Sequence, residues 1–172
     1  KTPHFPILLE KRADFPKVDI HVTIAANDEI LERLIGGEID FGFVTKKSDN
    51  PVIQHELFAR EQYTLVGKDR NLVRGIVAQS LAETPFIAYP GMDVLLEFWR
   101  HAYFPQKRNF NFHSMSKRGA INHLDGAITM VRQGLGCGVF PRHCVEEFIQ
   151  TKELFAYSHQ LKRDPVGDIY IV

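Results

Sequence analysis

The side chains best able to bind a metal ion or to react are those of the eight histidines and two cysteines of the chain. Cys137, His143 and Cys144 could ligate zinc, with His113 and His123 as further candidate ligands. The two cysteines could instead form a redox pair. Zinc ligands usually occur in pairs two to four residues apart, and the spacing here matches no established zinc pattern. Cys137 lies in an apolar run typical of a core strand. We therefore expect no metal site and no cofactor, while a redox switch between the two cysteines stays an open alternative.

The sequence lacks the local patterns by which many enzymes are identified. It has no Gly-x-Ser-x-Gly elbow, no phosphate-binding loop and no His-Glu-x-x-His helix. Acidic residues such as Glu146 and Glu147 fall on presumed helix surfaces, where solvation explains them. Ser, His and Asp residues occur, but no pattern gathers a set of them at one place. These observations favour a binding protein over an enzyme, and a small α/β enzyme with dispersed catalytic residues is kept as an alternative.

Charge and composition exclude two other classes. The chain has 21 Lys and Arg residues and 21 Asp and Glu residues, so its formal net charge is zero. Its densest basic runs, Lys46-Lys47 and Lys117-Arg118, are too short for a nucleic-acid footprint, which needs clustered positive charge. No apolar run reaches the roughly 18 residues that a membrane helix needs. Two cysteines in 172 residues suit a reducing compartment, so we expect a cytoplasmic protein without membrane contact.

The elements that would position any site alternate between helix and strand. Val18–Ile24 alternates apolar and polar residues with the period of a half-buried strand. Asn27 can cap the helix that follows, and Gly36-Gly37 can end it. Residues 39–43 alternate again. This order predicts an α/β fold with parallel strands. Farther along, we expect strands at 52–58, 62–66, 86–89 and 109–114, a tight turn into a buried strand within 134–141, and helices near 95–99, 122–133 and 145–149.

Three segments, in this order and spacing, resemble the effector-binding domain of LysR-type transcription regulators. They are Phe15-Pro-Lys-Val-Asp-Ile-His-Val22, Leu34-Ile-Gly-Gly-Glu-Ile-Asp-Phe-Gly-Phe43 and Met130-Val-Arg-Gln-Gly-Leu-Gly-Cys-Gly-Val-Phe-Pro141. The resemblance implies two Rossmann-like α/β lobes with a ligand cleft between them, as in type 2 periplasmic binding proteins. It places the first lobe at 1–66 and 166–172 and the second at 67–165. The chain starts within a helix pattern and stops within a strand pattern, so we expect a domain truncated at both ends.

A ligand site is expected where strands end. In open α/β sheets, ligands bind beyond the carboxyl ends of strands, where helix starts present amide groups. Because those amides favour negative charge, a small organic anion is the expected ligand, with Asp28 as an opposing charge. Asn27 could instead be a plain helix cap, and Tyr89 a packed aromatic residue. The rule and the resemblance both select Ala26, Asn27, Thr45, Tyr89, Pro90, Ser114, Met115, Phe140 and Pro141.

The resemblance also implies a function and partners. A ligand-sensing domain of this family would bind a small-molecule effector and change the geometry of a homodimer or homotetramer. DNA would be bound only by an N-terminal helix-turn-helix outside this chain. Pairing between copies is expected through Phe5–Asp14 and Val18–Ile24 against the helix that begins near Asn122. The alternative from another class is an extracytoplasmic solute-binding protein of a transporter, which shares the two-lobe architecture.

Overall fold

The computed structural model describes residues 4–106, 111, 114–158 and 164–172. The chain has the predicted α/β fold and divides into two compact units. The first unit contains the residues up to Glu61 together with Gly167–Val172, and the second contains Gln62–Val166. The interpretation of these units as regulatory lobes with bounds 1–66 plus 166–172 and 67–165 stays a prediction.

The described residues form six helices and seven strands. Each of these helices is too short or too polar to span a membrane. The helices are α1 (His4–Arg12), α2 (Asn27–Ile35), α3 (Arg70–Arg74), α4 (Met92–Tyr103), α5 (Leu124–Arg132) and α6 (Arg142–Gln150). The strands are β1 (Phe43–Val44), β2 (Glu56–Gly67), β3 (Phe86–Ala88), β4 (Lys117–Ala120), β5 (Cys137–Pro141), β6 (Phe155–Ala156) and β7 (Val166–Ile171).

The first unit departs most from the sequence prediction. Val18–Ile24 has the apolar–polar alternation of a strand but does not form one. No strand among the described residues pairs with it through backbone hydrogen bonds. The predicted 39–43 strand shortens to β1, which pairs antiparallel with β7 through Phe43 and Ile171. In place of strands at 52–58 and 62–66, the chain forms the single 12-residue strand β2. Apolar alternation alone therefore did not decide which segments became strands.

The second unit contains a mixed sheet in the order β2-β5-β3-β4, with β6 also paired to β2. Strand β3 runs parallel to β4 and to β5, whereas β2 is antiparallel to β5 and β6. The parallel arrangement that the sequence predicts thus holds for β3, β4 and β5. The carboxyl ends of these three strands lie at the same edge of the sheet.

Both faces of this sheet carry a hydrophobic core because strand residues alternate between faces. Leu65 and Val139 face the cluster that includes Leu96 and Trp99 of α4. The next residues along β2 and β5 are Val66 and Phe140. They pack in the other cluster, which includes Ile128 of α5 and Val145 of α6. The sheet of the second unit is therefore covered by helices on both faces.

Two glycines make the connection between α5 and β5 possible. Gly134 has φ of +84°, a left-handed conformation that side chains disfavour, directly after the helix. A Cβ atom on Gly136 would collide with the carbonyl oxygen of Pro85, which accepts a hydrogen bond from Cys137 N at 2.7 Å. The sharp turn and close packing predicted for this glycine-rich segment are both present.

Candidate functional site

In the first unit, two of the predicted site residues bond to each other. The Asn27 side-chain amide donates to Thr45 Oγ1 at 2.9 Å, and its carbonyl oxygen accepts from Thr45 N at 3.3 Å. Ala26, which is exposed, is the N-cap of α2, and no side chain caps this helix start. Asn27 is therefore not the helix cap that its residue type suggested. It joins the start of α2 to the end of β1.

In the second unit, three helices start where the parallel strands end. The N-cap residues are Gly91 for α4, His123 for α5 and Pro141 for α6, and none makes a side-chain capping bond. By contrast, Asp69 caps α3 by accepting from two backbone amides, at 2.8 and 3.2 Å. Backbone N–H groups at a helix start that no side chain caps can hydrogen-bond an anion. This edge therefore has the geometry expected of an anion-binding surface.

Tyr89 lies at that edge and is fixed from two sides. Its hydroxyl donates to the carbonyl oxygen of Val139, and its ring stacks on Phe140 with 5.3 Å between centroids and 13° between planes. Phe140 is fully buried, so it supports Tyr89 and presents no surface of its own. Pro90 is exposed and Pro141 is half-buried at the ends of β3 and β5. The sequence rule thus located two of the three strand ends.

The third strand end was predicted in the wrong place. Most of the expected 109–114 strand lies outside the described residues, and the strand that the structure has is β4. Ser114 and Met115 precede β4 and so lie toward its amino end. Ser114 is exposed and bonds to Asn111, while Met115 is buried in the core cluster of α4. The geometric reason for choosing these two residues is therefore lost.

The residues that follow β4 are Ile121, Asn122 and His123. Sequence reasoning missed them as site residues because β4, Lys-Arg-Gly-Ala, has no apolar alternation. It forms through backbone pairing with β3, to which Ile87 and Ala88 contribute. The one usable signal was Asn122, near which we expected this helix to begin; in the structure His123 is the N-cap of α5.

Charge distinguishes the four uncapped helix starts. The first turns of α2, α4 and α5 contain acidic residues, whereas the first turn of α6 contains none and begins with Arg142. Arg142 Nε donates to Glu146 at 2.6 Å, and its Nη1 donates to Asp164 at 2.7 Å. Tyr103 also donates to Asp164, at 3.1 Å, and burial raises the pKa of Tyr103, which keeps this donor protonated. An anion meets the least acidic repulsion from the helix itself at α6.

The two cysteines cannot form a disulfide in this fold. Cys137 is buried in the cluster that includes α4, whereas Cys144 packs against the cluster on the opposite face of the sheet. A disulfide needs Cα atoms within about 7 Å, and side chains on opposite faces point away from each other. Burial raises the pKa of the Cys137 thiol to about 12, which keeps it protonated. A redox pair between these residues would therefore require the fold to rearrange.

The histidines do not assemble a metal site in the part of the chain that is described. Cys144 Sγ lies 3.2 Å from His143 Nε2. Within residues 4–106, 111, 114–158 and 164–172, no group of three or more His, Cys, Asp or Glu side chains could hold a metal ion. His113 lies outside the described residues.

The sequence and the fold both match one family. The model of the LysR substrate binding domain matches residues 3–164. The chain belongs to this family. Its fold is that of the LysR substrate-binding domain, which is similar to type 2 periplasmic binding proteins. No curated protein sequence matches the chain significantly.

Several solved structures of LysR-type regulators share the fold. The regulatory domain of MetR from Neisseria meningitidis has a TM-score of 0.73 and 16% identity over 96% of this chain and 75% of that one. The regulatory domain of CcmR from Synechocystis, in complex with 2-PG, gives 0.69 and 16% over 96% and 79%. Full-length LysG from Corynebacterium glutamicum, with bound effector Arg, gives 0.70 and 12% over 97% and 56%. This chain therefore spans little more than half of that full-length regulator.

Proposed function

We propose that this chain is the ligand-sensing domain of a bacterial LysR-type transcription regulator and binds a small organic anion. Membership of the LysR substrate binding domain family carries the proposal. The uncapped helix starts at the strand ends of each unit add a physical basis for ligand binding. LysG with bound effector Arg and CcmR in complex with 2-PG show that this fold accommodates small molecules in other proteins.

We further propose which residues contact the effector. In the first unit these are Ala26, Asn27 and Thr45. In the second unit, the strand ends favour Tyr89, Pro90 and Pro141, while the buried Phe140 supports the Tyr89 ring. His123 takes the place of Ser114 and Met115, which lie toward the amino end of β4. The acid group of the ligand is expected near the start of α6, where the first turn lacks acidic residues.

Binding without catalysis is part of the same proposal, because the solved relatives are transcription regulators. Ligand binding would change the arrangement of a homodimer or homotetramer and so re-space DNA-binding domains that lie outside this chain. Pairing would use Phe5–Asp14 and Val18–Ile24 against α5, which begins one residue after His123. The exposure of Val18 and Ile24, 50% and 97%, is consistent with such a contact. A cytoplasmic location suits the two free thiols.

The decisive experiment measures ligand binding directly. Thermal unfolding is followed with a panel of small carboxylic and phosphorylated acids, their uncharged analogues and amines. A ligand at a hundred times its Kd stabilises a protein by about 2.7 kcal/mol, so an effector should raise Tm by several degrees. Thr45→Ala should lower the affinity of the domain for the acid that raises Tm by at least about tenfold, which corresponds to a loss of about 1.4 kcal/mol of binding energy.

The matched control is Thr151→Ala, which removes an exposed threonine hydroxyl that bonds only within and just after α6. It should leave the affinity unchanged. If only neutral molecules or amines raise Tm, the domain is a sensor but its ligand is not an anion. If no small molecule binds, the sensing function itself is wrong.

A further inference from the structure

A histidine side chain links the two ends of the loop between β1 and β2. His55 Nε2 accepts a hydrogen bond from Ser48 N at 2.9 Å, and the His55 side chain is half-buried. Within this loop, two further hydrogen bonds join residues that are two positions apart in the sequence. Ser48 Oγ accepts from Asn50 N at 3.1 Å, and Asn50 Oδ1 accepts from Val52 N at 3.0 Å. The His55 bond thus joins the end of this loop to its beginning.

The chemistry of that bond fixes the state of the imidazole. A backbone N–H can only donate, so Nε2 must present a lone pair to Ser48. The proton of the neutral ring is then on Nδ1. An imidazolium carries N–H groups on both nitrogens and would face the Ser48 N–H with a second donor. The bond therefore exists only while His55 is uncharged.

His55 is the only histidine in β1, β2, β7 and the loop between β1 and β2. The edge of the Tyr170 ring faces His55, with 6.3 Å between centroids and 88° between planes. Burial and the hydrogen bond to Asp168 raise the pKa of Tyr170, so its hydroxyl stays protonated. The other charged side chains of the loop and adjoining strands include Lys46, Lys47, Asp49, Glu56, Arg60 and Asp168.

Two of these charges lie beside the Tyr170 ring that His55 contacts. Lys47 Nζ lies 4.9 Å from the centroid of the same Tyr170 ring that His55 contacts. The Asp168 carboxylate is already bonded to Tyr170 and to Arg60 Nε, the latter at 3.2 Å. A protonated His55 would thus lose its backbone partner at Ser48.

We propose that His55 is a pH-sensitive latch for the loop between β1 and β2. Protonation of the imidazole breaks the bond to Ser48 and releases a loop that begins at Thr45. Because Thr45 is held by Asn27 at the end of β1, release of the loop loosens that pairing. The latch itself is a property of the free protein. Only its consequence, weaker effector binding at acid pH, rests on the proposed function.

The test is an NMR titration of the ¹⁵N,¹³C-labelled chain without ligand, from pH 8 to pH 5.5. It follows the protonation state of the His55 ring and the nitrogen–nitrogen scalar coupling across the Ser48–His55 hydrogen bond. We expect the coupling at pH 8 and its loss with the same midpoint as ring protonation. In His55→Gln, whose amide oxygen can accept but does not titrate, the Ser48, Asn50 and Val52 amides should not respond to pH.

The control is His101→Gln, which removes an exposed histidine from α4 and should leave the Ser48 response unchanged. The proposal is overturned if the Ser48 amide is unaffected while the His55 ring titrates, or if the response persists in His55→Gln. If His55→Gln does not fold, the unaltered chain still tests the proposal. The pH midpoint of His55 ring protonation is then compared with the pH midpoint of the Ser48 amide response. Affinity for an acid that raises Tm, measured at pH 5.5 and pH 8, then tests the consequence. Failure of every acid to bind would contradict the proposed function and leave the ligand-free result standing.

Discussion

The two units differ in what holds their functional residues in place. In the second unit, Leu65, Leu96, Trp99 and many other apolar side chains are fully buried on the two faces of one sheet. Among the described residues of the first unit, the buried hydrophobic side chains are only Val44 and Ile53. There the site residues are joined by side-chain hydrogen bonds such as Asn27–Thr45. The second unit therefore positions its strand ends by packing, and the first positions its strand end by polar contacts.

Truncating an equivalent helix leucine in each unit should produce the largest contrast. Leu96→Ala removes a fully buried side chain of α4 and should cost about 3 kcal/mol, the usual cost of such a cavity. Leu31→Ala, on the half-buried face of α2, should cost about 1 kcal/mol because less apolar surface is lost. Urea unfolding followed by circular dichroism measures both. Equal losses would mean that the first unit has a core as tight as that of the second.

Breaking one ion pair in each unit should give an intermediate effect. Arg142→Ala leaves the Asp164 carboxylate, whose side chain is 6% exposed, without its cation. We expect a loss of about 2 kcal/mol, below the usual 3–5 kcal/mol for a buried pair because Arg142 is partly exposed. Arg33→Ala breaks the exposed pair with Glu29 in α2 and should cost less than about 1 kcal/mol. A loss from Arg33→Ala as large as that from Arg142→Ala would contradict the difference between the units.

The smallest effect should be the same in both units. Gly37 and Gly134 have φ values of +70° and +84°, and each follows a helix. Alanine at either position should cost about 1 kcal/mol because the strain arises in the local backbone. Gly36→Ala, at φ of −72°, is the control and should cost less. A much larger loss at Gly134 than at Gly37 would indicate that packing, and not backbone strain, dominates there. The same urea titrations supply these values.

The sequence predicted helices better than strands, and the reason is physical. Helix α2 follows from Asp28 and Glu29 in its first turn and glycines after its last, all of which act within the helix. A strand needs a partner from elsewhere in the chain. Val18–Ile24 has a strand pattern and no partner among the described residues, whereas β4 has no pattern and forms because β3 lies beside it.

In the candidate site, too, the features that depend on local sequence were predicted and those that depend on strand pairing were not. The family resemblance rested on local segments, and the family model confirms it over residues 3–164. Tyr89 and Pro141 were correctly expected at strand ends because their strands have apolar sequences that end in recognisable turns. Ser114 and Met115 were wrongly expected at a strand end, and His123 was not expected there, because the end of β4 depends on its pairing with β3.

The sequence by itself determined the family, the α/β class, the approximate positions of several helices and the turn glycines, because each depends on residues close together in the chain. Tertiary structure alone decided three other features. It paired Asn27 with Thr45, separated Cys137 from Cys144 across the sheet, and gave His55 a backbone donor. These contacts depend on strand register and on which face a side chain occupies. Neither can be read from the sequence when the partner strand has no pattern of its own.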